Sequence, residues 1–184
     1  MLSDLDIAVT RGMNGWTGQS PLIDHLMVWT SEIGVPFLVA AVALQWWQGN
    51  NKPHTRHSLL ATGFSFLFGL ALNQIILLFV QRTRPYEAGV THLLIERSAD
   101  FSFPSDHATT TVAIAAAFLI HGMPRRGTLF LAAAVLMVFS RVYVGTHYAS
   151  DVLGGALTGI IAASLVRPVY RQGTRIDRFM TNIL

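Results

Sequence analysis

Residues 58–80 form a run of 23 amino acids without one charged side chain. A helix needs about 20 apolar residues to cross the hydrocarbon of a bilayer. Within lipid, every backbone N–H and C=O has to be satisfied inside the segment, which leaves a helix as the form for a lone run of this kind. The run therefore predicts a membrane-spanning helix. The rest of the chain agrees: 52% of its residues are apolar and 12% are charged, against about 25% charged in soluble domains.

Four further apolar runs predict spans at 22–47, 105–120, 128–144 and 148–166. The expected fold class is all-α, an integral membrane bundle of five to six transmembrane helices forming a single domain over residues 1–184. Asp24 and Glu32 place the hydrocarbon-buried part of the first span from about Ile33, and Trp46 with Trp47 suits an interfacial anchor. Residues 48–57 read as a polar loop, and 81–106 as a connection long enough to carry function. Asn73 and Gln74, inside the second span, read as amides bonding to neighbouring helices. Gly154, Gly155 and Gly159 predict close helix approach, within the bundle or between subunits. Residues 1–21 read as an interfacial segment with a short amphipathic helix and no chemistry. Residues 167–184 read as a basic tail. Asp4 and Asp6, with no basic run before an apolar core, do not suit a cleaved signal peptide. The chain has no cysteine, so neither disulfides nor thiolate-bound metals arise.

Five crossings bring the ends of spans two and four and the starts of spans three and five to one side. Arg84, Ser105, His107, Arg141, His147 and Asp151 all fall there. The other side carries Lys52, Arg56, Arg125, Arg126, Arg167, Arg171, Arg175 and Arg178, eight of the thirteen basic residues. The positive-inside rule puts those eight in the cytoplasm and the polar cluster outside.

The cluster has three parts. In Ser140–Asp151 an arginine, a histidine and an aspartate interrupt an apolar region. A spacing of four puts His147 and Asp151 on one face if the segment is helical. A carboxylate beside an imidazole fixes its tautomer and stabilises its cation, which a nucleophile or general base needs. Arg141 offers a planar cation matched to phosphate oxygens. In Phe103–Ala108, Pro104 and Ser105 predict a helix start, whose free N–H groups suit an anion, with His107 in the first turn. A capped helix with an interfacial histidine is the plainer reading of that piece alone. In Gln81–Pro85, Arg84 before a proline would pass by itself as a snorkelling anchor.

Together these residues resemble the type 2 phosphatidic acid phosphatase superfamily, membrane lipid phosphatases related to vanadium haloperoxidases. The family signature is a lysine, six residues and Arg-Pro; then Pro-Ser-x-His; then Ser-Arg, five residues, His, three residues and Asp. Pro104-Ser105-Asp106-His107 matches the second part, and Ser140-Arg141 through His147 to Asp151 matches the third with every spacing kept. Arg84-Pro85 matches the end of the first part, but Leu77 stands at the lysine position. The resemblance covers residues 58–166. It implies catalysis by His147 as nucleophile, Asp151 as its orienting group and His107 as acid and base. It implies phosphate binding by Arg84, Ser105 and Arg141, with Arg82 the candidate to replace the lysine. It implies neither metal nor cofactor. Leu72-Asn73-Gln74-Ile75 and the run from Asn14 to Asp24 are similar to the bacitracin-resistance type of undecaprenyl diphosphate phosphatase. That branch implies a bacterial inner membrane, a site facing the periplasm or exterior, and a role in recycling the cell-wall lipid carrier. Phosphatidylglycerol phosphate, phosphatidic acid or lipid A are alternative substrates for the same residues. A reading of another class is a non-catalytic transporter or structural bundle, since intramembrane polar groups also mark transport paths. Against it stands the placing of all the chemical residues at one face. No residue reads the lipid tail or the oligomeric state, and nothing suggests nucleic acid.

Overall fold

The computed structural model describes residues 2–48 and 52–182. Its helices are α1 (Leu2–Asn14), α2 (Pro21–Ala43, continued by a 3-10 turn, Leu44–Trp47), α3 (Lys52–Leu77), α4 (Asp106–Ile120), α5 (Pro124–Tyr143), α6 (Ala149–Val169) and α7 (Arg175–Thr181). There is no strand among the described residues. α2 with its 3-10 turn, α3, α5 and α6 are each long and apolar enough to cross a membrane, and α4 is a shorter apolar helix. Large apolar side chains such as Phe37, Leu67, Leu129, Val135, Leu153 and Leu157 face outward. In water such a surface would aggregate; around a bundle it is the lipid-facing belt. The protein is a multi-pass membrane protein.

α4 is the axis of the bundle. Its sides pack on α3, α5 and α6, and every residue from Ala108 to Ala115 is buried. The approach to α6 is close because Gly155 and Gly159 lack a Cβ. One added at Gly155 would lie 2.4 Å from the Ser105 carbonyl oxygen, and one at Gly159 2.4 Å from that of Thr109. The small residues predicted from the sequence thus serve packing within the bundle. Asn73 joins α3 to α4, its Nδ2 donating to Asp106 Oδ1 (2.6 Å) and Thr109 Oγ1 (2.8 Å). Gln74, paired with it in the sequence reading, points outward.

Two boundaries differ from the sequence reading. α3 begins at Lys52, so residues 52–57 of the expected polar loop are helical; residues 49–51 lie outside the described residues. The polar start is held by the chain's end: Arg56 Nη1 donates to the Thr181 carbonyl (2.8 Å), and His57 Nδ1 lies 2.8 Å from Asp177 Oδ1. α6 runs on to Val169, through Pro168 and into the expected tail, and α7 follows it. Charge marks where a helix leaves the hydrocarbon, not where it stops being helical.

Fifteen residues of α-helix rise about 22 Å, less than the roughly 30 Å hydrocarbon core. α4 turns directly into α5 at its C-terminal end, so its N-terminus sits below the opposite membrane surface. The long connection between α3 and α4 covers it. Polar residues at the start of α4 are thereby sunk into the bundle.

Candidate active site

The first turn of α4 and the first turn of α6 are tied together. Ser105 N donates to the Asp151 carbonyl (3.1 Å), which brings the Pro-Ser-x-His segment against the α5–α6 connection. His147 lies in that connection, not on a helix as its spacing from Asp151 suggested. Gly145, at φ +84°, turns the chain after α5, and Tyr148 is the N-cap of α6. Asp151 then falls in the first turn and reaches back, its Oδ2 accepting from Tyr148 N (2.8 Å), as a capping-box carboxylate does.

His147 is held through one nitrogen. Its Nδ1 lies 2.8 Å from the carbonyl oxygen of Ser102. A carbonyl can only accept, so Nδ1 carries the proton and Nε2 keeps its lone pair. Nε2 lies 3.4 Å from Arg84 Nη1. The Asp151 carboxylate is 3.7 Å from Nδ1, beyond hydrogen-bond range. It acts on the ring as a nearby charge and by fixing Ser102, whose Oγ donates to Asp151 Oδ2 (2.5 Å). Ser102 was missed in the sequence reading. Nothing in its type or spacing separates it from other loop serines. Burial pushes His147 down to about 4; Asp151 opposes the shift, and Arg141 and Arg84 add to it. The imidazole is therefore neutral at neutral pH.

Two guanidinium groups act on this ring, and the Ser105 hydroxyl stands at the start of α4. Arg84 is buried and braced by the Asp100 carbonyl (2.8 Å), the Thr146 carbonyl (3.1 Å) and Ser98 Oγ (3.2 Å). Those bonds link the α3–α4 connection to the histidine's own turn. Arg141, in the last turn of α5, donates through Nη1 to Ser31 Oγ of α2. Arg141 Nε and Ser105 Oγ are buried without a hydrogen-bond partner among the described residues. An unmet buried donor costs about 1–3 kcal/mol, and native structures keep such groups where a ligand satisfies them. His107, in the first turn of α4, is within electrostatic reach of Arg141, His147 and Arg84. It is half-buried, as is Asp106, whereas Ser105 and His147 are buried.

Arg82 lies elsewhere. Its Nη1 donates to Asp151 Oδ1 and to Ser150 Oγ, and its Nη2 to Asp6 Oδ2, all at 2.6 Å. It reaches Asp151 Oδ1, whereas Ser102 and Tyr148 N hold Oδ2. The sequence offered it as a phosphate contact; in the structure its donors go to two carboxylates and the Ser150 hydroxyl.

The arrangement is an electropositive recess around one imidazole lone pair, a setting suited to an anion. Among the described residues, no three His, Cys, Asp or Glu side chains gather as a cation site. The family model of the PAP2 superfamily matches residues 58–175. The chain belongs to the PAP2 superfamily. It is 32% identical to undecaprenyl-diphosphatase BcrC of Bacillus subtilis, over 98% of this chain and 95% of that protein. It is 28% identical to a protein named bacitracin transport permease protein BcrC of Bacillus licheniformis, over 89% of this chain and 80% of that one. The crystal structure of a transmembrane PAP2-type phosphatidylglycerolphosphate phosphatase from Bacillus subtilis matches its fold. The TM-score is 0.70 at 23% identity, covering 95% of this chain and 88% of that one. As a membrane-embedded PAP2 member with phosphatase relatives, the protein is a lipid phosphatase.

Proposed function

We propose that the protein hydrolyses undecaprenyl diphosphate to the monophosphate and inorganic phosphate through a phosphohistidine on His147. The observation that carries this reading is the pinned ring: Nδ1–H is held by Ser102 and Nε2 faces Arg84, while Ser105 Oγ and Arg141 Nε are buried without a hydrogen-bond partner among the described residues. Nε2 attacks the terminal phosphorus, and the bond to the bridging oxygen breaks. His107 gives its proton to the leaving monophosphate. It then takes a proton from the water that attacks the phosphohistidine, and phosphate and free His147 result. Arg84, Arg141 and Ser105 hold the non-bridging oxygens, so positioning and charge stabilisation carry the rate. None of these steps calls on a metal.

The substrate assignment is supported by the near full-length likeness to an undecaprenyl-diphosphatase. The site opens to the exterior in this reading. Lys52, Arg56, Arg125, Arg126 and the arginines from Arg167 onward gather at the opposite end, which the positive-inside rule assigns to the cytoplasm of a bacterial inner membrane. The name of the Bacillus licheniformis relative suggests transport instead. A transport path needs polar groups through the bilayer, and here a packed apolar layer of Leu38, Leu59, Ile114, Phe118 and Phe130 lies between the site and the basic end.

Phosphate release from undecaprenyl diphosphate and phosphatidylglycerol phosphate, in detergent with a chelator, tests the proposal. Release from the diphosphate is expected for wild type and is expected to vanish in His147→Ala. A preference for the glycerophospholipid would overturn the substrate, and undiminished release by His147→Ala would overturn the mechanism.

A further inference from the structure

Helix α1, which the sequence suggested was an inert interfacial segment, lies against the turn that carries His147. At the start of that turn, Asn14 Nδ2 donates to the Tyr143 carbonyl (2.7 Å) and Thr17 Oγ1 to the same oxygen (3.1 Å). At its end, Thr10 Oγ1 accepts from Ala149 N (3.0 Å), and Asp6 Oδ1 accepts from Ser150 N (2.8 Å). Ala149 and Ser150 open α6, where backbone N–H groups have no partner within the helix. The N-cap residue is Tyr148, which provides no side-chain cap for them. α1 therefore caps α6 from outside, and in doing so fixes both ends of the nucleophile's turn.

Asp6 also begins a chain of charged contacts. Its Oδ2 accepts from Ser150 Oγ and from Arg82 Nη2, each at 2.6 Å. Arg82 spans to Asp151 Oδ1, also at 2.6 Å, with its guanidinium 3.8 Å from the centre of the Tyr148 ring. Asp151 grips Ser102, and the Ser102 carbonyl holds His147 Nδ1. Burial alone would raise the Asp6 carboxyl, but the bonds from Ser150 and Arg82 outweigh it and hold it below its ordinary value. The carboxylate is thus charged whenever the membrane faces near-neutral water.

We propose that α1 is a positioning element for the reaction, with Asp6 and Arg82 as positioning residues that aim His147 through Asp151 and Ser102. This rests on the reading of His147 as the nucleophile. Arg82 does not touch the phosphate: it occupies the chain position near the missing lysine but supports the catalytic carboxylate from behind. A buried ring displaced by about 1 Å loses roughly 100-fold in rate, so a strap on its turn has large leverage.

The test is steady-state phosphate release by wild type, Asp6→Asn, Arg82→Gln, Arg82→Lys, the Asp6→Asn/Arg82→Gln double variant and His147→Ala. Hydrogen exchange over residues 144–151 is measured on the same detergent-purified proteins. Asp6→Asn and Arg82→Gln are expected to lower kcat about 10- to 100-fold, with KM within about threefold of wild type. The double variant is expected to be no worse than the poorer single one, because the two act as a unit. Arg82→Lys, keeping the charge and a donor, is expected to recover part of the loss. Residues 144–151 are expected to exchange faster in Asp6→Asn. A raised KM with unchanged kcat in Arg82→Gln would make Arg82 a phosphate ligand and overturn the proposal. Multiplying losses in the double variant, or wild-type exchange over 144–151 in Asp6→Asn, would overturn it as well. If Asp6→Asn does not fold, the split between kcat and KM in Arg82→Gln and Arg82→Lys decides alone. Full activity in His147→Ala would instead sink the phosphohistidine mechanism, while the exchange result would still report on the strap.

Discussion

Ser102 shows how little of a residue's role is written in its type. Its carbonyl fixes the tautomer of His147, and its hydroxyl binds the carboxylate that was expected to do so. Ser102→Ala keeps the carbonyl and removes the hydroxyl. It is expected to lower kcat by about tenfold, within the 10- to 100-fold range typical of second contacts to a reacting group. Ser105→Ala removes a buried, unpartnered hydroxyl that the proposed mechanism assigns to the phosphate, so a larger fall, on the order of 100- to 1000-fold, is expected. Rates of the two variants on one substrate would rank them. His147 also has a pH consequence. An exposed imidazole titrates near 6.5, and this one titrates at about 4. Between those values the unfolded chain binds a proton that the folded protein does not, so stability falls as pH drops through that window. Thermal unfolding followed from pH 7 to 4 is expected to show a shallower decline in His147→Gln than in wild type.

Among the elements, α4 decides the depth of the chemistry. It is the shortest crossing, and its start carries Ser105 and His107. Its fit against α6 rests on two glycines. A Cβ at Gly155 would strike the Ser105 carbonyl and one at Gly159 that of Thr109, both backbone atoms that cannot swing away. Gly159→Ala is expected to cost about 1–3 kcal/mol, as overpacking does, and to lower the thermal midpoint. Gly155→Ala is expected to lower kcat too, because the atom it displaces belongs to Ser105. Gly12→Ala is the control: a Cβ there meets nothing within 4 Å, and alanine in a helix interior is favoured by roughly 0.5–1 kcal/mol. The extents of α3 and α6 were underestimated from the sequence for one reason. Lys52, Arg56 and Arg167 ended the apolar runs, but the helices continue through them, with the Arg56 side chain bonded to the Thr181 carbonyl of α7.

For the molecule as a whole, the two ends differ in charge and in task. One end gathers arginine, histidine and aspartate around a recess. The other holds eight basic residues and the His57–Asp177 contact that seats α7. The proposed orientation is directly measurable, because the chain has no cysteine. A single cysteine at exposed Glu87 is expected to react with an impermeant maleimide added outside intact cells. One at exposed Arg125 is expected to react only after the membrane is opened. The reverse pattern would place the recess in the cytoplasm and remove the recycling role.

Much of this was determined by the sequence alone. Uncharged runs as long as a bilayer is thick allow only spanning helices, so the all-α membrane bundle was legible before any coordinates. The resemblance of Arg84, Ser105, His107, Arg141, His147 and Asp151 to the family signature, and the topology that brings them to one membrane face, pointed to the site. The pairings came from the three-dimensional fold. Whether Arg82 met a phosphate or Asp151, and whether α1 was idle or a strap, depend on contacts across more than sixty residues of chain. Asp6 meets Ser150 and Asn14 meets Tyr143 because α1 folds back over the start of α6. Hydropathy has no term for such pairings: it measures where a segment lies in the bilayer, and the direction of one hydrogen bond is set by its neighbours.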